Sequence, residues 1–330
     1  MSRKALYWFR KEEYIHCLLC PKNCAIGLGK AGACRVRVNR EGELGLLNYG
    51  LVSSLAIDPI EKKPLYHFFP GKKLLSLGTY GCNFRCGFCQ NWQISQGNPD
   101  TFYLSPEELL RKAKAFRVSD QDIVGVAFTY NEPLVWYEYV LDSSRLLKTE
   151  GFQVILVSNG YISSEPLAKL MPYVDAFNID LKSFSQEYYV KMLKGTMEPV
   201  LSNIEQITRA KKHLEISTLI VPGANDTIEE MEQLAGWLGN LSAAIPLHIA
   251  RYFPEYQLDL PATSIDTLEK LTQRAQDYLN YVYLGNVWET DSNTYCPSCK
   301  SKVVERRGYR VKVLQQQECS ICHKELDFVM

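Results

Sequence analysis

Eleven cysteines stand in this chain in three tight groups, and none lies outside them. Cys17, Cys20, Cys24 and Cys34 open the series, Cys82, Cys86 and Cys89 follow, and Cys296, Cys299, Cys319 and Cys322 close it. Any fold must therefore gather each group around something. In an oxidising compartment that would be disulfides; in a reducing one, clustered cysteines bind metal or do redox work. The opening "MSRKALYWFRKEEY" lacks an apolar core followed by a small-residue cleavage site, so a secretory signal is not expected. Apolar runs such as "FQVILVSNG" fall far short of the roughly 20 residues of a bilayer crossing. A cytoplasmic, metal-bearing protein with no membrane segment is the expectation.

Within 330 residues, of which 46% are hydrophobic, two or three units fit, or one α/β barrel that uses most of the chain. From Leu74 to Leu284 the pattern alternates. "KLLSLGTY", "DIVGVAFT", "FQVILVS", "AFNIDLK", "LEISTLIV" and "LHIARYF" read as buried strands, separated by helical stretches. Ser105, Pro106 and Glu108 mark one helix start, and Thr227 with Glu230 a second capping box. Six strand–helix units in one direction imply a parallel sheet, either a partial (β/α)6 TIM-like barrel or a doubly wound open sheet. The 37 basic and 37 acidic side chains balance, so bulk attraction to nucleic acid or acidic membranes is not expected.

In parallel α/β folds ligands gather at the carboxyl ends of strands. Here those ends carry the Cys82–Cys89 run, "TYNEP" (Thr129–Pro133), "SNGY" (Ser158–Tyr161), "DLK" (Asp180–Lys182) and "VPGAND" (Val221–Asp226). Polar groups at five successive strand ends point to one shared site. Three thiolates spaced Cys-x3-Cys-x2-Cys can hold a compact centre, and an iron–sulfur cube on three thiolates keeps one iron open. An open position is the mark of a catalytic rather than a structural centre.

That triad, with Phe88 before its last cysteine, resembles the radical SAM signature. The resemblance implies a 4Fe–4S cluster whose open iron is chelated by the amino and carboxylate groups of S-adenosylmethionine (SAM). One electron would cleave the sulfonium to methionine and a 5′-deoxyadenosyl radical, which takes a hydrogen atom from substrate. By the same resemblance Glu132 in "TYNEP" engages the SAM amino group, with Asn131 beside it, while Tyr130 and Asn131 replace two glycines of the family motif. Lys182 would pair with the SAM carboxylate, Asp180 with a ribose hydroxyl or small cation, and Ser158 and Asn159 would add polar contacts. Val221 and Pro222 would pack near the adenine. "CLLCPKNCAIGLGKAGACRVRVN", "GCNFRCGFCQNWQIS", "TYNEP" and "NTYCPSCKSKVVERRGYRV" together resemble the radical SAM proteins of the AmmeMemoRadiSam system, relatives of pyruvate formate-lyase activating enzymes. Memo-like and AMMECR-like partners, and a reductant such as flavodoxin or ferredoxin, follow from that likeness. Activases with additional clusters commonly carry them in an insertion just after the triad; here the extra cysteines flank the core.

The last four cysteines, Cys296-x2-Cys299-x19-Cys319-x2-Cys322, have zinc-ribbon spacing, and "RGYRVKVL" between the pairs suggests a hairpin. Cys17-x2-Cys20-x3-Cys24-x9-Cys34 suits either zinc or an auxiliary iron–sulfur cluster, since thiolates serve both. His16 and His323 are expected at the surface. "PLYHFFPGKK" and "HIARYFPEY" fit a substrate cavity or interdomain packing. The expected organisation is an N-terminal metal-binding module and linker over residues 1–71, a radical SAM barrel over 72–289 and a zinc-ribbon-like module over 290–330. Two other functions compete with a radical SAM enzyme acting on an unidentified substrate, protein among the candidates. One is an RNA-modifying radical SAM enzyme, and the other a non-catalytic metal-bearing scaffold for partner proteins.

Overall fold

The structure, a computed structural model, describes residues 3–288 and 290–330. Its centre is an eight-stranded sheet: β1 Ser54–Pro59, β2 Lys73–Gly78, β3 Ile123–Phe128, β4 Gln153–Ser158, β5 Ala176–Asp180, β6 His213–Ile220, β7 Leu247–Arg251 and β8 Val282–Gly285. Strands β2 to β8 run parallel, and β1 pairs antiparallel with β2 at one edge. One helix follows each of the first six parallel strands: α1 Pro106–Ser119, α2 Tyr137–Thr149, α3 Ser164–Leu170, α4 Glu198–Arg209, α5 Ile228–Ser242 and α6 Ile265–Ala275.

The spatial order of the strands is their sequence order, with no reversal. A doubly wound sheet must reverse at a switch point. Winding in one sense therefore makes this a partial (β/α)6 barrel, closed by a seventh parallel strand. That strand, "VYLG", is four residues long at an edge and carries too little periodicity to stand out in sequence.

The strands read as unbroken apolar runs because both faces are covered. In β3, Val126, Ala127 and Phe128 are buried, as are Val154, Ile155 and Leu156 in β4. Helix α1 begins as its sequence demands: Ser105 accepts from the Glu108 amide and Glu108 reaches back to the Ser105 amide. Helix α5 forms half of the expected box. Thr227 accepts from the Glu230 amide, but the Glu230 carboxylate instead accepts from the Phe184 amide at 2.8 Å and from the Ser183 hydroxyl. A long-range partner outcompetes the local one and ties α5 to the loop after β5. Helix α4 buries Val200, Asn203, Ile204 and Ile207, one stripe at helical spacing. Within that stripe Asn203 donates to the Gly160 and Ile162 carbonyls, which anchors the loop following β4.

Before the sheet, short hairpins (Trp8–Lys11 with Tyr14–Cys17, and Arg37–Arg40 with Glu43–Leu46) build the N-terminal module. Arg37 fastens it to the barrel: it is 1% exposed and forms a two-pronged ion pair with Glu138 of α2 at 3.0 Å. After the sheet, Lys302–Arg307 and Arg310–Val313 form the expected hairpin, with Gly308 at φ +59° in its two-residue turn. This last module seats at the amino-terminal ends of the parallel strands. There Arg306 donates to the Tyr66 carbonyl, and the His67 ring contacts the Asp327 carbonyl. His67 belongs to "PLYHFFPGKK", so part of that aromatic stretch packs against the last residues of the chain. No helix among the described residues is long and apolar enough to cross a membrane.

Candidate active site

The opposite face carries the carboxyl ends of β2 to β6. β2 stops at Gly78 because the next turn passes directly over β3. A Cβ on Gly78 would stand 2.6 Å from the Thr129 carbonyl oxygen, so glycine alone permits the approach. The loop that follows holds Cys82, Cys86 and Cys89. Asn131 sets its path, accepting from the Thr79 amide at 3.0 Å and donating to the Gly81 carbonyl at 2.8 Å. Expected among the cofactor contacts, Asn131 instead spends its amide on holding the cysteine loop. Tyr130 occupies a family glycine position with φ 72°, a conformation most side chains avoid. Its cost is offset by anchoring: the hydroxyl donates to Asp58 at 2.5 Å, and Lys63 lies 4.4 Å over the ring.

Glu132 is 3% exposed, and its carboxylate accepts from the Leu134 amide (2.9 Å), the Ser158 hydroxyl (2.7 Å) and the Asn159 amide (2.8 Å). Burial pushes it up to about 7 despite these donors. The "SNG" end of β4 is thus folded onto Glu132 rather than free. Asn159 continues the chain of contacts, donating to Asn83 Oδ1 at 2.9 Å with its Nδ2 3.7 Å from Cys82 Sγ. At the end of β5, Lys182 Nζ pairs with Asp180 at 2.7 Å. Desolvation opposes the Lys182 charge, but Asp180, Cys86 and Cys89 outweigh it and hold the ammonium above its usual value.

The three thiols face this group. Cys82 is pushed up by burial, then by Glu132, Cys86 and Cys89; Cys86 is pushed up to about 12 by burial, with Lys182, Cys89 and Asp180 around it. Asn159 links the triad to Glu132, its amide on the carboxylate and its Nδ2 near Cys82 Sγ, and the Asp180–Lys182 pair lies close enough to Cys86 to act on its charge. Thiols so buried favour neutrality, and metal displaces the proton outright. The donors are suited to a thiolate, since the Phe84 amide lies 3.4 Å from Cys82 Sγ. The residues present therefore fit a cluster held on three sulfurs, with Glu132 and the Asp180–Lys182 pair left for its organic ligand.

Phe88 is buried, its ring 6.4 Å from that of Tyr188, and acts as packing beneath the loop. Val221 is buried and Pro222 half-buried at the end of β6. Asn225 in the same "VPGAND" segment escaped the sequence reading, although a buried amide there is what ties the strand ends together. It accepts from the Val221 amide (2.7 Å) and donates to the carbonyls of Lys182 (2.8 Å) and Leu219 (2.9 Å). Asn83 was missed as well; adjacency to Cys82 was its one signal. At the far end of the chain, the sulfurs of Cys296, Cys299, Cys319 and Cys322 all lie within 4.8 Å of one another, a four-sulfur set that could hold a metal ion. The His67, His213, Glu215 and His248 cluster beside that module is another feature that periodicity did not reveal. Glu215 accepts from His213 and His248 and from the amides of Tyr66 and His67.

Comparison with known proteins agrees with this geometry. The profile of the Radical SAM superfamily matches residues 76–238. The chain is 39% identical to the uncharacterized protein MJ0808 of Methanocaldococcus jannaschii, over 99% of this chain and 100% of that one. It is 25% identical to a pyruvate formate-lyase-activating enzyme of Clostridium pasteurianum, over 58% of this chain and 82% of the relative. Among solved structures, a radical SAM methyltransferase from Sphaerobacter thermophilus superposes with a TM-score of 0.53 at 14% identity. That match covers 65% of this chain and 66% of the other, a likeness of fold.

Proposed function

Because the chain belongs to the radical SAM superfamily, we propose that it is an activating-enzyme-like member that takes a hydrogen atom from a protein substrate. The observation that carries this reading is the convergence of Cys82, Cys86 and Cys89 on the Glu132 and Asp180–Lys182 end of the barrel. When bound, the 4Fe–4S cluster supplies the electron that cleaves SAM to methionine and a 5′-deoxyadenosyl radical. The electron comes from a low-potential carrier of the flavodoxin or ferredoxin class. The motif likeness across the chain supports our reading of it as a member of the AmmeMemoRadiSam system, with Memo-like and AMMECR-like proteins as proposed partners.

The chain's own residues bind and orient. Glu132 receives the SAM ammonium, a charge-assisted contact to a carboxylate already aimed by Leu134, Ser158 and Asn159. Lys182 neutralises the SAM carboxylate while Asp180 holds the lysine in place and takes a ribose hydroxyl. Val221 and Pro222 flank the adenine, and burial of the site keeps water away from a radical. Glu132→Gln retains size and loses the anionic acceptor. SAM affinity falls by about 1.5–3 kcal/mol in an equilibrium binding measurement, with iron content unchanged. Unaltered affinity would remove Glu132 from the ammonium site. The reading as a whole is tested by anaerobic incubation of reduced enzyme and SAM with candidate partners, scoring 5′-deoxyadenosine and a new radical or modification on the partner. Turnover on RNA and not on protein would overturn it.

The C-terminal thiolates we assign to zinc, in a structural role. Two sulfur pairs stand at 3.5 Å, close to the roughly 3.8 Å that a tetrahedral ion with about 2.3 Å bonds requires. The module has a small apolar core, formed by Val303, Val304 and Leu326 with two of the cysteines, so the ion must contribute much of its folding free energy. It also sits on the barrel face away from the triad. Cys319→Ala therefore loses about one zinc per chain and opens the segment after Tyr295 to protease, while uncoupled SAM cleavage survives. Loss of deoxyadenosine formation in a folded barrel would make the module part of the chemistry.

A further inference from the structure

We propose that Cys17, Cys20, Cys24 and Cys34 hold a second iron–sulfur cluster of the four-iron class, sharing a wall with the centre at Cys82. Sulfur spacing separates the two metals these residues suit. Four thiolates on one zinc ion nearly touch, whereas a cube of irons and sulfides keeps its thiolates on separate corners. The C-terminal tetrad meets the close spacing, with all four sulfurs within 4.8 Å. Among the described residues no three of the N-terminal thiols do, and neither does the triad at Cys82. The N-terminal thiols therefore lack the close packing of the C-terminal knuckle.

What lies between the sulfurs points the same way. All four cysteines line one small pocket, walled by Leu134 and Val135 of the barrel. Arg37 lines it too, 1% exposed, with its Nη atoms engaged by Glu138 and the Leu6 carbonyl. Its buried Nε–H has no partner among the described residues. An orphaned buried donor is costly, and a cluster sulfide or thiolate would accept from it.

The cavity adjoins the catalytic loop. Asn83 lines it together with Cys20, while its Oδ1 lies 4.0 Å from Cys82 Sγ. A Cβ on Gly81 would stand 2.6 Å from the Cys34 carbonyl oxygen, so the two cysteine loops touch backbone to backbone. Arg85 of the catalytic loop donates to the Ala33 carbonyl at 2.7 Å. Two clusters so placed would couple magnetically. That consequence, unlike the cluster itself, rests on the catalytic reading of the triad.

The test compares metal content and electron paramagnetic resonance of the full chain, isolated without oxygen from iron-replete cells. The double variant Cys20→Ala, Cys34→Ala should lose about four irons and four sulfides per chain and no zinc. The triple variant Cys82→Ala, Cys86→Ala, Cys89→Ala should keep about four irons. Reduced wild type should give a broadened, fast-relaxing signal that sharpens in either variant. Loss of one zinc and no iron from the double variant would overturn the proposal, as would a folded triple variant free of iron. Should the double variant fail to fold, the iron of the triple variant decides. Failure of the catalytic reading would appear separately, as a double variant whose remaining cluster signal does not respond to SAM.

Discussion

Cys86→Ala abolishes the conversion of SAM to 5′-deoxyadenosine by the reduced enzyme, to the background of a reaction without protein, and lowers bound iron by about four atoms per chain. Two thiolates cannot hold three corners of a cube. The loss is chemical and not conformational, because other groups hold the loop. Asn131 bonds both Thr79 and Gly81, the Arg85 amide donates to the Leu193 carbonyl, and Gln257 reaches the Gly87 carbonyl at 2.8 Å. The melting temperature of the metal-free variant should accordingly match that of metal-free wild type. The same result is expected at Cys82 and Cys89. Deoxyadenosine formation retained in any of the three would remove that residue from the cluster.

A second large effect lies on the other face of the barrel. His67 is fully buried, and desolvation holds its imidazole down to about 3, outweighing Glu215 and the Asp327 carbonyl, against 6.5 for a free histidine. In the window between these values the unfolded chain binds a proton that the folded chain refuses. The contribution of His67 to stability therefore falls as pH drops below about 6.5, by about 1.4 kcal/mol per unit, or about 2 kcal/mol by pH 5. Glu215 has the opposite origin but the same direction. Burial opposes its charge, but bonds from His213 and His248 keep it well below the usual carboxylate value. Its contribution is full above the unfolded carboxylate range and disappears only as pH falls through and below it, whereas Glu132, held up to about 7, works against His67 between pH 5 and 7, so the difference between wild type and a His67 variant is what isolates His67. His67→Gln can still donate to the Asp327 carbonyl and accept from Tyr283, whose hydroxyl stands 2.7 Å from the ring nitrogen. Denaturant titrations of the two proteins should show the variant losing less stability on acidification, by about one proton's worth of slope. Equal slopes would mean that the imidazole is protonated in place.

Much of this molecule is legible one residue after another. Strand runs such as "DIVGVAFT" and "FQVILVS" bury both faces, so composition alone identifies them, and Ser105 with Glu108 starts its helix by purely local bonds. Cysteine spacing is equally local: ligands within a few residues of each other are close in space whatever the fold. Glu230 shows where such reasoning stops, for its local partner was available and a distant loop took it instead. Asn131 is a similar case, being beside Glu132 in sequence yet turned toward the cysteine loop.

By itself the sequence determined the three cysteine groups, the parallel α/β core and the strand ends at which polar residues gather, because each depends on neighbours along the chain. Tertiary structure alone decided three things. It set the winding in one sense, which selects a partial barrel over a doubly wound sheet. It placed the C-terminal module against the amino-terminal face through Arg306, His67 and Asp327. It also brought Cys20 and Asn83, 63 residues apart by their numbers, to a common wall. Each of these is a contact between segments that no periodicity couples, and burial of apolar surface on folding is what holds them together.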